Sequence, residues 1–531
     1  MVGHRQRRGR RGSVVVVVAL ALAAGGCSSS GSEGARTTTT TGVTTPRGST
    51  SVGDRPVGDK HPTFVKNECW WPRAAALPTD LTVTCGTVDV EANRTDKTAS
   101  RLHLAVVRLH RKGADPKAPP IVNLHGGPGS DALSTAPAAD TLPLDALKER
   151  DMILYDQRGT GRSTPSLNCP ENEKATLAAL GAADSWSVEF AANEAAAVAC
   201  KKRLVGEGID LADYNTPASV EDLETIRKVF HIDTWNVAGR SYGTRLGLAY
   251  ARAHPKTIRT LLIDSVYPPE VGGVARNTAL PSEAFGRLSK ACDAQPACRA
   301  ANGNVEQQLA KAVASFDAHP ETITGTVTVD GKDITQSYTL TGGDLRGGIF
   351  AALYKNDLIP QLPSVIAALA KGDRSIVPAF LSTGVPGLLQ MSEGVFFSFE
   401  CADSERNYGE AGVEAMRKDP GGDELYALAT AEPFCRAWDV PEVPAAFNQP
   451  VTANVATLVF GGTLDPITPY TESKAQADSM PNARFVSVPG GGHGDAAFDD
   501  CTKSARDGFW HDPKAKLPAC LDIGKVRPFV S

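Results

Sequence analysis

Basic charge is in short supply in this chain. Its 531 residues carry 55 Lys and Arg against 60 Asp and Glu, a net charge of −5. Five of the arginines fall in the first 26 residues, which hold no acid, so the remainder balances 50 against 60, or −10. A nucleic-acid partner is excluded on that ground, because phosphate binding needs a basic face. Cys-x-x-Cys is absent, and the ten histidines do not fall beside cysteines or acids at ligand spacing. No metal site and no cofactor is expected. The amino-terminal apolar run, Val14 to Ala24, is too short to span a bilayer comfortably. What is present is 41% hydrophobic residues and ordinary charge, the composition of a soluble globular protein. The length exceeds what one compact core usually holds, so one large domain with an inserted second unit is expected.

Arg5, Arg7, Arg8, Arg10 and Arg11 precede the apolar run, and together they read as a targeting signal over residues 1–27. Ala24-Gly25-Gly26-Cys27 resembles a bacterial lipoprotein box, in which Cys27 would be lipidated; a plain secretory signal cut at small residues is the alternative. Either implies export, with membrane contact only through an N-terminal lipid. Residues 28–62 are rich in Ser, Gly and Thr and read as a flexible tether. Ten further cysteines remain, from Cys69 to Cys520. An even number in an oxidising compartment suggests disulfides. Joining neighbours (69–85, 169–200, 292–298, 401–435, 501–520) is the simplest scheme, and the sequence leaves other pairings open.

The chemistry centres on Gly239-Arg240-Ser241-Tyr242-Gly243, a G-x-S-x-G between the apolar run Trp235–Ala238 and a helical run, Leu246–Ala253. A serine on a sharp strand-to-helix turn has its hydroxyl lifted above the sheet edge. The amide of Tyr242 would then point at a substrate carbonyl from a helix N-terminus. Pro119–Leu124 reads as a strand running into His125-Gly126-Gly127-Pro128-Gly129, with Gly127 a second oxyanion donor. Strands Leu81–Val90, Leu102–Leu109, Met152–Tyr155 and Thr260–Ile263 alternate later with helices, so the sheet should be mainly parallel. Ser219-Val220-Glu221-Asp222 is expected to cap a helix. After Pro269 come helices (284–292, 305–318, 362–370) and a hairpin, 322–329 with 332–340. Strands 455–460 and 484–488 follow, the first ending in Gly461-Gly462-Thr463-Leu464-Asp465-Pro466-Ile467-Thr468-Pro469 and the second in Gly490-Gly491-Gly492-His493-Gly494.

Ser241, Asp465 and His493 stand in that order, each just after a strand, which is the order of an α/β-hydrolase triad. Asp264, ending the strand after the elbow, is the rival acid; His511, among aromatics, reads as packing. HGGPG, then Asp156-Gln157-Arg158-Gly159-Thr160-Gly161-Arg162-Ser163, then GxSYG resemble the proline iminopeptidase family of serine exopeptidases and its secreted tripeptidyl aminopeptidase relatives. The likeness spans roughly 81–520. It implies an α/β-hydrolase fold with a mostly helical cap: core 63–268, cap insertion 269–448, core again 449–531. Asp156 and Arg158 are read as bracing neighbouring loops. Related peptidases have an acid two residues beyond a cysteine, which here points to Asp403, with Glu400 and Glu405 as further candidates for holding a substrate N-terminus; aspartate stands where glutamate is usual.

The function expected is an exported serine hydrolase, an aminopeptidase that releases N-terminal residues or short peptides through a Ser-His-Asp triad and an acyl-enzyme. An esterase or lipase on the same triad is the alternative, since a triad does not fix the leaving group. A binding lipoprotein on a dead hydrolase fold is disfavoured because no catalytic position is missing.

Overall fold

The computed structural model describes residues 62–71, 77–96, 99–133, 143–182, 186–271, 280–329, 332–378, 391–403, 432–523 and 526–530. Cys27, the amino-terminal signal, residues 28–61 of the tether and Glu405 lie outside them. Eleven strands are formed: β1 (Phe64–Asn67), β2 (Leu81–Glu91), β3 (Arg101–Arg111), β4 (Ile121–Leu124), β5 (Met152–Tyr155), β6 (Trp235–Ser241), β7 (Ile258–Val266), β8 (Glu321–Val329), β9 (Lys332–Leu340), β10 (Thr457–Gly462) and β11 (Ala483–Val488). Nine of them make one sheet in the order β1-β2-β3-β5-β4-β6-β7-β10-β11. The pairs from β1 to β5 are antiparallel, and every pair from β5 to β11 is parallel. This is the expected α/β architecture, with an antiparallel entry.

Residues alternate between the two faces of that sheet, and both faces are buried. Val106, Val122, Ile153, Val237, Leu261 and Val459 join one apolar cluster. Their chain neighbours Val107, Ile121, Leu154, Ala238, Leu262 and Leu458 join another. Period-two alternation does this automatically, and strands covered on both faces read as continuous apolar runs. Helices α1 (Pro170–Ala179), α2 (Trp186–Gly206), α3 (Thr216–Val229) and α4 (Tyr242–Ala253) precede β7.

Between β7 and β10, the helices α5 (Leu280–Asp293), α6 (Pro296–Asn302), α7 (Val305–Ala318), α8 (Gly342–Ala352) and α9 (Leu362–Ala370) join the β8–β9 hairpin. Phe285, Leu288, Phe316, Ile349, Phe350 and Ile366 form a third cluster there, into which Leu464 and Phe529 reach from the later chain. The next helices, α10 (Glu393–Asp403) and α11 (Glu432–Trp438), pack differently: Phe397, Phe399, Phe434 and Trp438 belong to the first cluster. α12 (Tyr470–Ser479) and α13 (Asp500–His511) are the last α-helices among the described residues. All ten cysteines from Cys69 onward pair with their sequence neighbours, in the simplest of the expected schemes.

Two local expectations fail. α3 starts at Thr216, with the Asn215 side chain accepting from Ala218 N and a proline in its first turn; both favour helix entry and pre-empt Ser219. Asp222 lies inside the helix instead, gripped by Arg158 Nε and Nη2 at 2.7 Å each. His511 is no packing residue: it ends α13, its side chain 72% exposed, and meets Glu149 at 2.7 Å. The aromatic burial falls to Phe509 and Trp510 instead.

Arg158 does brace loops. Its fully buried guanidinium also donates to the carbonyls of Ala92 and Asp213. Removing one member of a buried pair strands the other, at about 3–5 kcal/mol. Arg158→Met should therefore lower stability by about that amount in a denaturant melt, and a further Asp222→Asn should restore part of it. A melt within 1 kcal/mol of wild type would show that Arg94, which also reaches Asp222 at 2.7 Å, suffices alone.

Candidate active site

The turn at Ser241 is shaped by what its glycines leave out. A Cβ on Gly239 would lie 2.3 Å from the Gly243 carbonyl oxygen, and one on Gly243 would lie 2.1 Å from that of Leu124. Strand β4 and helix α4 thus meet backbone to backbone, and Ser241 is held at φ 57°, a region non-glycine residues occupy at a cost. Thr244 Oγ1 fastens the elbow by donating to the Ser241 carbonyl (2.6 Å) and accepting from Tyr267 N (2.8 Å). The loop after β4 lies directly on the serine: a Cβ on Gly126 would be 2.9 Å from Ser241 Cβ. Gly127, the expected oxyanion donor, follows that contact with φ 111°. Burial, and then the charge of Arg240, pushes the His125 imidazole down to about 3, so that ring stays neutral.

Asp465 and His493 are joined. His493 Nδ1 lies 3.0 and 3.2 Å from the two Asp465 carboxylate oxygens. Asp465 is wholly buried and His493 nearly so. Burial alone would raise the Asp465 carboxyl, but His493 and the amides of Thr468 and Ile467 hold it below its ordinary value. Thr468 Oγ1 touches both partners, at 2.9 Å from Asp465 Oδ2 and 3.3 Å from His493 Nδ1. With Nδ1–H directed at the carboxylate, Nε2 is left as the acceptor. Ser241 and His493 share no hydrogen bond here; the histidine loop reaches the elbow through Gly494, where a Cβ would lie 2.8 Å from Arg240 Cδ. Catalytic hydrogen bonds commonly tighten only with substrate in place.

Asp264, the rival acid, faces elsewhere. Its oxygens accept from the amides of Asp495 (2.9 Å) and Ala496 (2.8 Å), while Ser265 Oγ accepts from Gly494 N at 2.8 Å. Burial raises the Asp264 carboxyl. It supports the histidine loop from below.

Glu400 and Asp403 are buried around Arg245. Asp403 accepts from Thr216 N (3.1 Å to Oδ2) and from Thr216 Oγ1, which also meets Tyr242 Oη at 2.6 Å. Glu400 accepts from Tyr267 Oη at 3.2 Å. Burial pushes Asp403 up to about 7, with Arg245 and Thr216 opposing it and Glu400 adding to it. Asp403 therefore already serves the N-terminus of α3. Asp156 is likewise internal, accepting from the amides of Ala132, Leu133 and Arg162.

Sequence reading missed Thr468, although a threonine three residues past an aspartate is a local hydrogen-bonding pattern. It also missed two residues between β7 and β10. Arg287 on α5 donates to the Asp465 carbonyl (2.8 Å), and Asn356 bonds the histidine loop. Nothing local in the sequence marks either.

Residues 119–284 match the family model described as alpha/beta hydrolase fold, and residues 424–519 the one described as TAP-like protein. The chain has the α/β-hydrolase fold. It is similar to serine protease Hip1 of Mycobacterium tuberculosis, 24% identical over 456 residues, 78% of this chain and 83% of that protein. The tripeptidyl aminopeptidase of Streptomyces lividans is 29% identical over 211 residues, 38% of each chain. Among solved structures, proline iminopeptidase from Mycobacterium smegmatis aligns over 80% of this chain and 98% of its own, with a TM-score of 0.39 and 16% identity.

Proposed function

We infer that this serine hydrolase of the peptidase type is an exported aminopeptidase, releasing residues or short peptides from free amino ends through Ser241, His493 and Asp465. The observation that carries the reading is the hydrogen bond from His493 to a buried carboxylate, beside a serine strained at the end of β6. His493 Nε2 takes the Ser241 proton as Oγ attacks the scissile carbonyl, and returns it to the leaving amine. Asp465 fixes the tautomer and stabilises the charged ring. The amides of Tyr242 and Gly127 bind the oxyanion, each such donor being worth about 3 kcal/mol. Water, deprotonated by the same imidazole, then clears the acyl-enzyme. The peptide-cleaving names of the similar proteins favour an amide over an ester as the substrate bond.

The preference for a free amino end rests on charge balance. Glu400 and Asp403 both act on the buried cation Arg245, which burial alone would weaken but which Tyr267 and both acids hold charged. Burial pushes the Asp403 carboxyl up to about 7. An arriving ammonium favours the ionised form of Asp403. The sign follows. The ionised form pairs with the ammonium, so the ratio of kcat/KM for free over N-acetylated peptides should climb as pH rises through about 7 and fall again as the substrate amine loses its proton above about 8. Asp403→Asn should flatten that climb and raise KM for free peptides by ~30-fold, about 2 kcal/mol, with p-nitrophenyl esters little changed. Wild-type enzyme that cuts acetylated and free peptides equally would remove amine recognition and favour the esterase reading.

Export is supported by the five disulfides, bonds that persist in oxidising compartments. No helix among the described residues is long and apolar enough to cross a membrane. Attachment would fall to acylated Cys27, which mass spectrometry of the mature N-terminus would detect.

A further inference from the structure

We propose that the inserted segment completes the catalytic base rather than only covering it, with Asn356 as the positioning residue that holds His493. The proposal rests on the assignment of His493 made above. Asn356 sits in the tight turn after α8, closed by Leu358 N donating to the Lys355 carbonyl at 2.9 Å. Its Oδ1 accepts from Gly492 N at 2.5 Å, and its Nδ2 donates to the Gly494 carbonyl at 3.2 Å and to Asp495 Oδ1 at 3.3 Å. One carboxamide therefore grips the residue before the histidine and the residue after it.

The fit is close on both sides. A Cβ on Gly492 would lie 2.4 Å from the Leu353 carbonyl oxygen and 2.7 Å from Ile359 Cδ1, so turn and loop touch with no space for a side chain. The Tyr354 ring stands 4.9 Å from the His493 ring, centre to centre. From the opposite side the same loop is held by Ser265 and Asp264. The acid's loop is tied to the insertion as well, through Arg287.

Such a clamp answers a weakness in the sequence. Gly490, Gly491, Gly492 and Gly494 flank the histidine, with φ 74° at Gly490 and 92° at Gly494. A glycine-rich segment has little stiffness of its own, yet a misplacement of about 1 Å can cost about a hundredfold in rate. A carboxamide suits the task because it presents an acceptor to one backbone group and a donor to the other. A carboxylate could serve Gly492 N but would repel the Gly494 carbonyl and Asp495.

The test counts active sites with a fluorophosphonate and expresses kcat per labelled serine on an aminoacyl arylamide. Asn356→Ala should lose about 10- to 100-fold in kcat, with KM within about twofold, and should slow labelling by the same factor. Asn356→Asp keeps the shape and can donate only while protonated, so its kcat should peak at lower pH than wild type. Lys355→Ala, an exposed neighbour in the same turn, should behave as wild type. Wild-type kcat per labelled serine and a wild-type pH profile in both Asn356 variants would overturn the proposal, even if their melting temperatures fall, because a purely structural role changes only the folded fraction. Should the alanine variant not fold, the isosteric aspartate variant decides by the same two readouts. Wild-type enzyme that fails to react with the probe would instead count against Ser241 as nucleophile, leaving the two failures distinct.

Discussion

Ser241→Ala should leave a folded protein whose turnover of aminoacyl arylamides is lower by about a millionfold. The fold should survive because Ser241 Oγ supports nothing: the elbow is held by Thr244 bonding the Ser241 carbonyl and by the Gly239, Gly243 and Leu124 backbone contacts. Alanine and serine carry the same burden at φ 57°, so backbone strain does not distinguish them. The loss is this large because the nucleophile and its base act as a unit. Without Oγ, His493 has no proton to accept, and the oxyanion amides stabilise only a slow direct attack by water. Turnover assay, fluorophosphonate labelling and a thermal melt on one preparation would check it. Activity within tenfold of wild type, with the melt unchanged, would remove Ser241 from the chemistry.

The sheet could be read from the sequence because its strands are buried on both faces and end in glycine-rich turns. Met152–Tyr155 and the run into Gly239 are examples: continuous apolar residues, then a turn that only glycine allows. Ser241, Asp465 and His493 were legible for the same reason, since each sits where such a strand stops. Legibility failed where long-range partners override local signals. Asp222 looked like part of a helix cap, but Arg158, 64 residues earlier, claims it. Asp403 also bonds Thr216, 187 residues earlier, a contact that no local pattern marks. Asn356 sits in an unremarkable turn, and only the folded chain brings it to residues 136 and 138 positions later. Periodicity reports a residue's own element, never the distant group that element will meet.

Asp465→Asn and Asp264→Asn should part company by orders of magnitude in kcat, although both residues are buried aspartates close to one histidine loop. Asp465 holds the imidazole directly and stays ionised despite its burial. An amide in its place keeps the shape but can offer its NH2 to Nδ1, which turns the tautomer so that the proton sits on Nε2, where the base must be empty. The expected loss is about 10⁴-fold in kcat, with KM nearly unchanged. Asp264 accepts two backbone amides and no side chain of the site. Asparagine retains one acceptor and sets an NH2 against the other amide, at a cost of about 1–3 kcal/mol in stability. Its kcat per labelled serine should stay within about tenfold of wild type. The two carboxyls also contribute to stability in opposite senses. Asp465, held below its ordinary value, contributes above pH ~4, and that contribution is lost as pH falls through its folded value. Asp264 is raised by burial, so the native state holds its proton more tightly than the unfolded chain does, and its contribution is lost as pH rises from ~4 through its folded value. Asp465→Asn should therefore reduce stability most at neutral pH and least in acid. For Asp264→Asn the order reverses: the loss should be largest in acid, and the fall in stability that Asp264 causes as pH rises above ~4 should disappear. A variant pair in which Asp264→Asn shows the 10⁴-fold loss and Asp465→Asn does not would move the acid to the strand after the elbow, and would require His493 to turn away from the carboxylate it faces here.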